Sequence, residues 1–175
     1  MTFEQVLPRR LASWGAEVEW DQVYAAQLPR VLNFFRYRLG DTADVEDLTA
    51  RTFEKAWRAR HRYRRDLAGF ATWLLTIARN VAIDHLRAQR RDRPLDGAAG
   101  VPSLGDTPEQ QAVRQSEAQR LSALLATLPP RQRELIAMKY GADMSNRAIA
   151  RATGLSESNV GTILHRAVET LRVRW

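Results

Sequence analysis

The chain has 175 residues, enough for one domain or two small ones, and no cysteine, which excludes disulfides and cysteine-based zinc, iron–sulfur or thiol chemistry. Basic residues outnumber acidic ones 27 to 20, for a formal net charge of +7, and all of the basic residues except Lys55 and Lys139 are arginine. Arginine contacts phosphate and guanine in a bidentate fashion where lysine is a point charge, so an acidic partner, nucleic acid first, is expected. GC-rich codons explain the arginine bias equally well, but not the net charge.

Apolar residues recur at steps of three and four, and no strand-like alternation persists, so an all-α chain is predicted. Residues 1–17 read as an irregular or weakly helical tail. From Trp20 a helical stripe runs through Val23, Tyr24, Leu28, Val31, Leu32, Phe35 and Leu39. Pro29 should kink this helix or start a second one, and Gly40-Asp41 ends it. The next helix has Thr42 as its candidate cap. Asp44, Glu46 and Asp47 stand in its first turn, where acids suit the helix dipole. Its buried stripe is Val45, Leu48, Thr52, Phe53, Ala56 and Trp57. A loop spans 63–69, and a third helix with Phe70, Trp73, Leu74, Ile77 and Val81 on one face runs to about Arg90.

Residues 92–106 collect glycines, two prolines and small side chains and read as a flexible linker. Thr107-Pro108-Glu109-Gln110 restarts a helix, with Thr as cap, Pro in the first turn and Gln three residues after the cap. Its apolar line is Leu121, Leu124, Leu125 and Leu128, and Pro129-Pro130 breaks it. Three shorter helices are predicted near 130–140, 146–153 and 157–172. The organisation is thus a tail (1–17), a lobe (18–92), a linker (93–107) and a second lobe (108–175). Each lobe suffices for a small helical core.

The clearest local signal is 145–171. Ser145 can cap a helix holding Ala148, Ile149 and Ala152. Gly154 suits a left-handed turn, Leu155 plugs the angle, and Ser156 caps a second helix with Val160, Ile163, Leu164, Ala167, Val168 and Leu171 inside. This is the order of a helix-turn-helix, whose second helix enters the major groove. Glu157, Ser158, Asn159, Gly161 and Thr162 face outward near its start, with His165 and Arg166 one turn on. Asn can read adenine, Glu can accept from cytosine, and Ser or Thr can reach several groups. Arg147, Arg151 and Arg166 are candidates for phosphate. A plain helical hairpin with polar residues outside is the bland alternative.

Between Arg51 and Arg65 basic residues crowd together with Phe53, Trp57 and Tyr63 interleaved. Basic groups track a phosphate backbone and aromatics stack on unpaired bases. Helical spacing assigns Phe53, Trp57, Phe70 and Trp73 to a core. Tyr63, in the loop with Arg64 and Arg65, is the better stacking candidate. Asn80, Asp84 and Arg87 share one face of the third helix at steps of four and three. They could read base edges; a surface salt bridge Asp84–Arg87 is an equal alternative. The acidic turn Asp44, Glu46 and Asp47 either compensates the dipole or docks a basic protein partner.

His61, His85 and His165 lack the spacing of metal ligands, and there is neither a Gly-rich phosphate loop nor a nucleophile motif. No metal, cofactor or enzymatic activity is expected. No stretch reaches the ~18 apolar residues of a membrane span. Met1–Trp20 lacks the order of a signal peptide, so a cytoplasmic protein is expected.

Four segments in order, DVEDLTARTFEKAW (44–57), FATWLLTIARNVAIDHLRAQRR (70–91), LPPRQRELIAMKY (128–140) and 145–171, resemble the extracytoplasmic-function sigma factors of bacterial RNA polymerase. The resemblance implies two helical domains on a flexible linker and no covalent chemistry. By position it assigns Asp44, Glu46, Asp47, Leu48 and Phe53 to the clamp helices of the largest polymerase subunit. Tyr63, Arg64, Arg65, Asn80, Asp84 and Arg87 fall to melting and reading the −10 element. Arg147, Ser156, Glu157, Ser158, Asn159, Thr162, His165 and Arg166 fall to the duplex −35 element, and 128–140 to the polymerase flap. It also implies an anti-sigma partner and a monomer when free. The sequence departs from the family pattern at Ala50-Arg51, where Gln-Glu is frequent, and at Gly161 and Ile163, where basic residues are frequent. Two other readings compete: a dimeric stand-alone helix-turn-helix regulator, which needs palindromic half-sites, and a metal-dependent nuclease, whose carboxylates would have to come from the acidic turn.

Overall fold

A computed structural model describes residues 20–92 and 108–175; the predicted tail, the linker and the Thr107 cap lie outside them. The described chain is all-α: α1 (Trp20–Leu39), α2 (Asp44–Ala59), α3 (Phe70–Asp92), α4 (Pro108–Ala126), α5 (Pro130–Ile136), α6 (Asn146–Thr153) and α7 (Glu157–Arg174). A 3₁₀ turn, Arg60–Arg62, follows α2, and a π-helical turn, Ala137–Gly141, extends α5.

Pro29 lies inside α1, and no second helix starts there. The proline is exposed, and the turn that follows it is anchored by Val31, Phe34 and Phe35, all fully buried. Burial of two phenylalanines and a valine outweighs the one backbone hydrogen bond that proline removes. Gly40 ends the helix with φ +90°, its amide bonded to the Arg36 carbonyl. Thr42 does not cap α2. Ala43 holds the N-cap position, Thr42 offers the Val45 amide its backbone carbonyl, and its hydroxyl is buried without a partner. The acids of the first turn carry the dipole compensation instead.

The first half packs α2 and α3 together with α1 across them. Val45, Leu48, Phe53, Ala56, Leu74, Leu75, Ala78, Val81 and Ala82 form its interior. At its rim Trp20, Trp57, Tyr63, Phe70 and Trp73 make a chain of edge-on and tilted ring contacts 5.0–6.1 Å apart. The second half packs α5, α6 and α7 around Leu135, Ile136, Met138, Ile149, Val160, Leu164 and Ala167. Of the line predicted on α4, Leu125 and Leu128 are buried and Leu121 and Leu124 half-buried. The halves are not apart: the π turn lies along α1 and α6 touches α3, so one continuous core runs through both.

Candidate nucleic-acid interface

The helix-turn-helix is built by its caps. Ser145 Oγ accepts the Ala148 amide at 3.1 Å and starts α6; Ser156 Oγ accepts the Asn159 amide at 3.2 Å and starts α7. Between them Gly154 adopts φ +73°, ψ +13°, and its amide closes the end of α6 on the Ala150 carbonyl. A Cβ there would meet nothing within 4 Å, so the left-handed backbone, not space, selects glycine. Ile149 and Val160 are fully buried between the helices, with Leu164 and Ala167 following on α7.

That packing turns Glu157, Ser158, Asn159, Thr162, His165 and Arg166 to solvent. Arg147, at the start of α6, reaches Glu157 at 3.6 Å, so these two predicted DNA contacts pair with each other in the free chain. Both are more than half exposed, and an exposed pair of this kind is held by only about 0–1 kcal/mol. Phosphate or a base edge can therefore replace either partner. Gly161 sits half-buried beside Asn146, whose Nδ2 would lie 3.8 Å from a Cβ there.

On the first half, α3 presents Asn80, Asp84 and Arg87 together, all exposed. Asp84 pairs with Lys55 of α2 at 3.7 Å rather than with Arg87. Asp84, Arg87 and Arg91 line one shallow depression. Tyr63 stands against Phe70 (5.4 Å) and Trp73 (5.2 Å) and is half-buried. It leaves the 3₁₀ turn in extended backbone, outside any helix, and joins the aromatic rim while staying partly accessible. Arg64 closes a two-bonded fork on Asp66, at 3.0 and 2.8 Å. That fork raises the arginine's affinity for its proton and holds the Asp66 carboxyl below its ordinary range. Arg65 is exposed.

The α2 surface divides. Asp44, Glu46 and Asp47 are accessible at its first turn, but Leu48 and Phe53 are 2% and 5% exposed. These two apolar side chains face the core and hold α2 in place, and in the free chain they offer a partner little surface. Beside the acids, Asp47, Arg51, Glu54 and His85 line an open cleft, with His85 Nε2 3.6 Å from Asp44. Sequence reasoning missed this His85–Asp44 pair because the two residues come from different helices. Among the described residues no cluster of three metal-ligating side chains occurs, and no helix is long and apolar enough to cross a membrane.

These features define a class: an all-α protein with a helix-turn-helix and a second exposed polar helix face. The comparisons narrow it. Residues 23–92 match the model of sigma-70 region 2, and residues 118–171 match that of sigma-70 region 4. The chain is 32% identical over 161 residues to the RNA polymerase sigma factor CarQ of Myxococcus xanthus, covering 90% of each. It is 29% identical over 166 residues to the ECF RNA polymerase sigma factor RpoE of Cereibacter sphaeroides, covering 95% of this chain and 91% of that one. The fold superposes on a Bartonella quintana sigma factor RpoE solved with the anti-sigma factor NepR, with a TM-score of 0.69 and 21% identity, covering 87% and 94% of the two chains. It also superposes on CnrH in complex with the cytosolic domain of CnrY, with a TM-score of 0.64 and 24% identity, covering 91% and 88%. The chain belongs to the extracytoplasmic-function sigma factors of bacterial RNA polymerase.

Proposed function

We propose that the two exposed helix faces are the two promoter readers of this sigma factor. The observation that carries the reading is the start of α7. Ser156 caps the helix, and Glu157, Ser158, Asn159 and Thr162 project from its first turns, where a recognition helix meets base edges. Asn159 is suited to adenine and Glu157 to cytosine; Arg147, His165 and Arg166 flank them toward phosphate. The Asn80, Asp84 and Arg87 face, bordered by Arg64, Arg65 and the Tyr63 rim, reads and opens the −10 element. Asp44, Glu46 and Asp47 dock on the polymerase clamp helices, with Leu48 and Phe53 as their support.

On this reading 18–92 and 108–175 act as separate binding units on the linker 93–107. Each binds its element weakly, and core polymerase holds both at a fixed spacing, so that affinities multiply through effective concentration. The chain acts as a cytoplasmic binding subunit, monomeric when free, and leaves catalysis to the polymerase. The anti-sigma partners of the solved relatives make such a partner the expected regulator here. The test is co-elution with sigma-free core polymerase on a sizing column, with a known sigma factor as positive control. A one-to-one complex that then opens promoter DNA is expected. Absence of a complex, with salt-sensitive duplex binding by the chain alone, would indicate the stand-alone regulator.

A further inference from the structure

The promoter reading leaves the chemistry of the seam between the halves unused. On one side are α1 and α3, on the other α5 and the π turn. Glu134 lies in this seam with its side chain 6% exposed. One carboxylate oxygen accepts from Arg79 Nε of α3 at 2.8 Å, and the other from an Arg131 guanidinium nitrogen of its own helix at 2.6 Å. Three more guanidinium groups bind carbonyls across the seam. Arg38 donates to Pro130 at 2.9 Å, Arg133 to Tyr37 at 3.2 Å, and Arg30 to Ala142 and Asp143, each at 2.8 Å.

A carbonyl satisfies a guanidinium hydrogen but leaves its charge in place. Burial accordingly holds Arg38 below the ordinary arginine range; Arg79, Arg131 and Arg90 push it the same way, and Glu134 opposes them. Arg133 is lowered by burial and then by Arg38. The backbones are close as well. A Cβ on Gly141 would lie 2.8 Å from the Asn33 carbonyl oxygen.

Closure has two consequences. Glu134, in the segment 128–140 that the family resemblance assigns to the polymerase flap, is covered by Arg79 of α3 across the seam. Elements centred near −10 and −35 are also about 25 base pairs apart, roughly 85 Å along a duplex with ~3.4 Å per pair. A compact body of this length has a radius of gyration of about 16 Å and spans about 40 Å. The closed chain cannot reach both.

We propose that the seam is an autoinhibitory latch: the single carboxylate of Glu134 holds the halves closed against the mutual repulsion of Arg38, Arg79, Arg131 and Arg133, and losing that charge releases the promoter-competent form. The inhibitory half of this proposal rests on the promoter reading; the latch itself does not.

The experiment measures the radius of gyration of the full chain by small-angle scattering, and the affinity for core polymerase by titration. Three proteins are compared: wild type, Glu134→Gln and Arg30→Ala. The second variant breaks two cross-seam bonds from the opposite side without touching Glu134 or a proposed contact residue. Circular dichroism confirms retained helix content. Both variants are expected to expand the radius of gyration by several ångströms and to bind core polymerase several-fold more tightly, because an affinity limited by a minor competent state rises with its population. An unchanged radius in both variants overturns the latch. Expansion with unchanged affinity overturns the inhibitory role. Should Glu134→Gln lose its helix content, Arg30→Ala decides by the same criteria. Failure of every form, wild type included, to bind a polymerase that accepts a known sigma factor removes the promoter reading and the inhibitory role with it, while the scattering result still judges the latch.

Discussion

Glycine-to-alanine substitution at positions 154 and 161 should move stability in opposite directions. Gly154 ends α6 at φ +73° with open space where a Cβ would stand, so no clash enters the balance. An L-residue in the left-handed region costs about 1–2 kcal/mol. Removing glycine's freedom from the unfolded chain returns about 0.4–1 kcal/mol. The net is a loss of roughly 0–1.6 kcal/mol, or a melting temperature lower by about 2–4 °C per kcal/mol for a chain of this size. Gly161 stands inside α7, and the Asn146 Nδ2 at 3.8 Å is an ordinary van der Waals contact for a new methyl group. There alanine should add up to about 1 kcal/mol from helix propensity alone and raise the melting temperature correspondingly. Urea and thermal melts followed at 222 nm measure both. A gain at Gly154, or a loss at Gly161, would refute the assignment of one glycine to backbone conformation and the other to an unstrained helix interior.

Asn80→Ala and Asp84→Ala should impair promoter opening, read by permanganate reactivity of the −10 region, more than they weaken polymerase binding; the reverse order would remove that face from DNA. Asn159→Ala should change the preferred −35 base, scored by competition among duplex variants, and leave melting at −10 intact. Ile149→Ala, at a fully buried position between α6 and α7, should cost about 2–5 kcal/mol in a urea melt, and a cost under 1 kcal/mol would show that the two helices repack freely. Asp66 should titrate below the ordinary carboxyl value of about 3.9, because Arg64 hydrogen-bonds its charged form. Since the folded value is the depressed one, this pair favours the fold above the ordinary value and fades as pH falls through the lower one. A carboxyl NMR titration that Arg64→Gln returns to the ordinary range is expected.

Local, short-range physics made much of this protein legible in its sequence. The three-to-four periodicity marked all seven helices of the described residues. The serine caps at 145 and 156 and the glycine at 154 act within four residues of themselves, so sequence distance and spatial distance coincide and the helix-turn-helix could be placed with its outward face. The acids of α2 and the Asn80, Asp84 and Arg87 face followed from helical spacing in the same way. Where the sequence left alternatives open, a tertiary contact decided between them. Pro29 sits within one helix because Phe34 and Phe35 are buried behind it, and Tyr63 is held by Phe70 and Trp73. Leu48 and Phe53 support α2 from inside, as their place in its apolar stripe predicts, whereas Asp84 pairs with Lys55 on another helix.

The seam is the extreme case. Arg30 and Arg38 of α1, Arg79 of α3, and Arg133 and Glu134 of α5 are unremarkable residues on three helices, and Gly141 follows the predicted helix end without any sign of what it will meet. Only the docking of the π turn on α1 brings six such positions together, across as many as 113 residues of chain. Composition and periodicity determine which helices form and which way each faces. Which charges meet when two helical faces close is set by register and rotation between elements, and those are decided by packing the whole core at once.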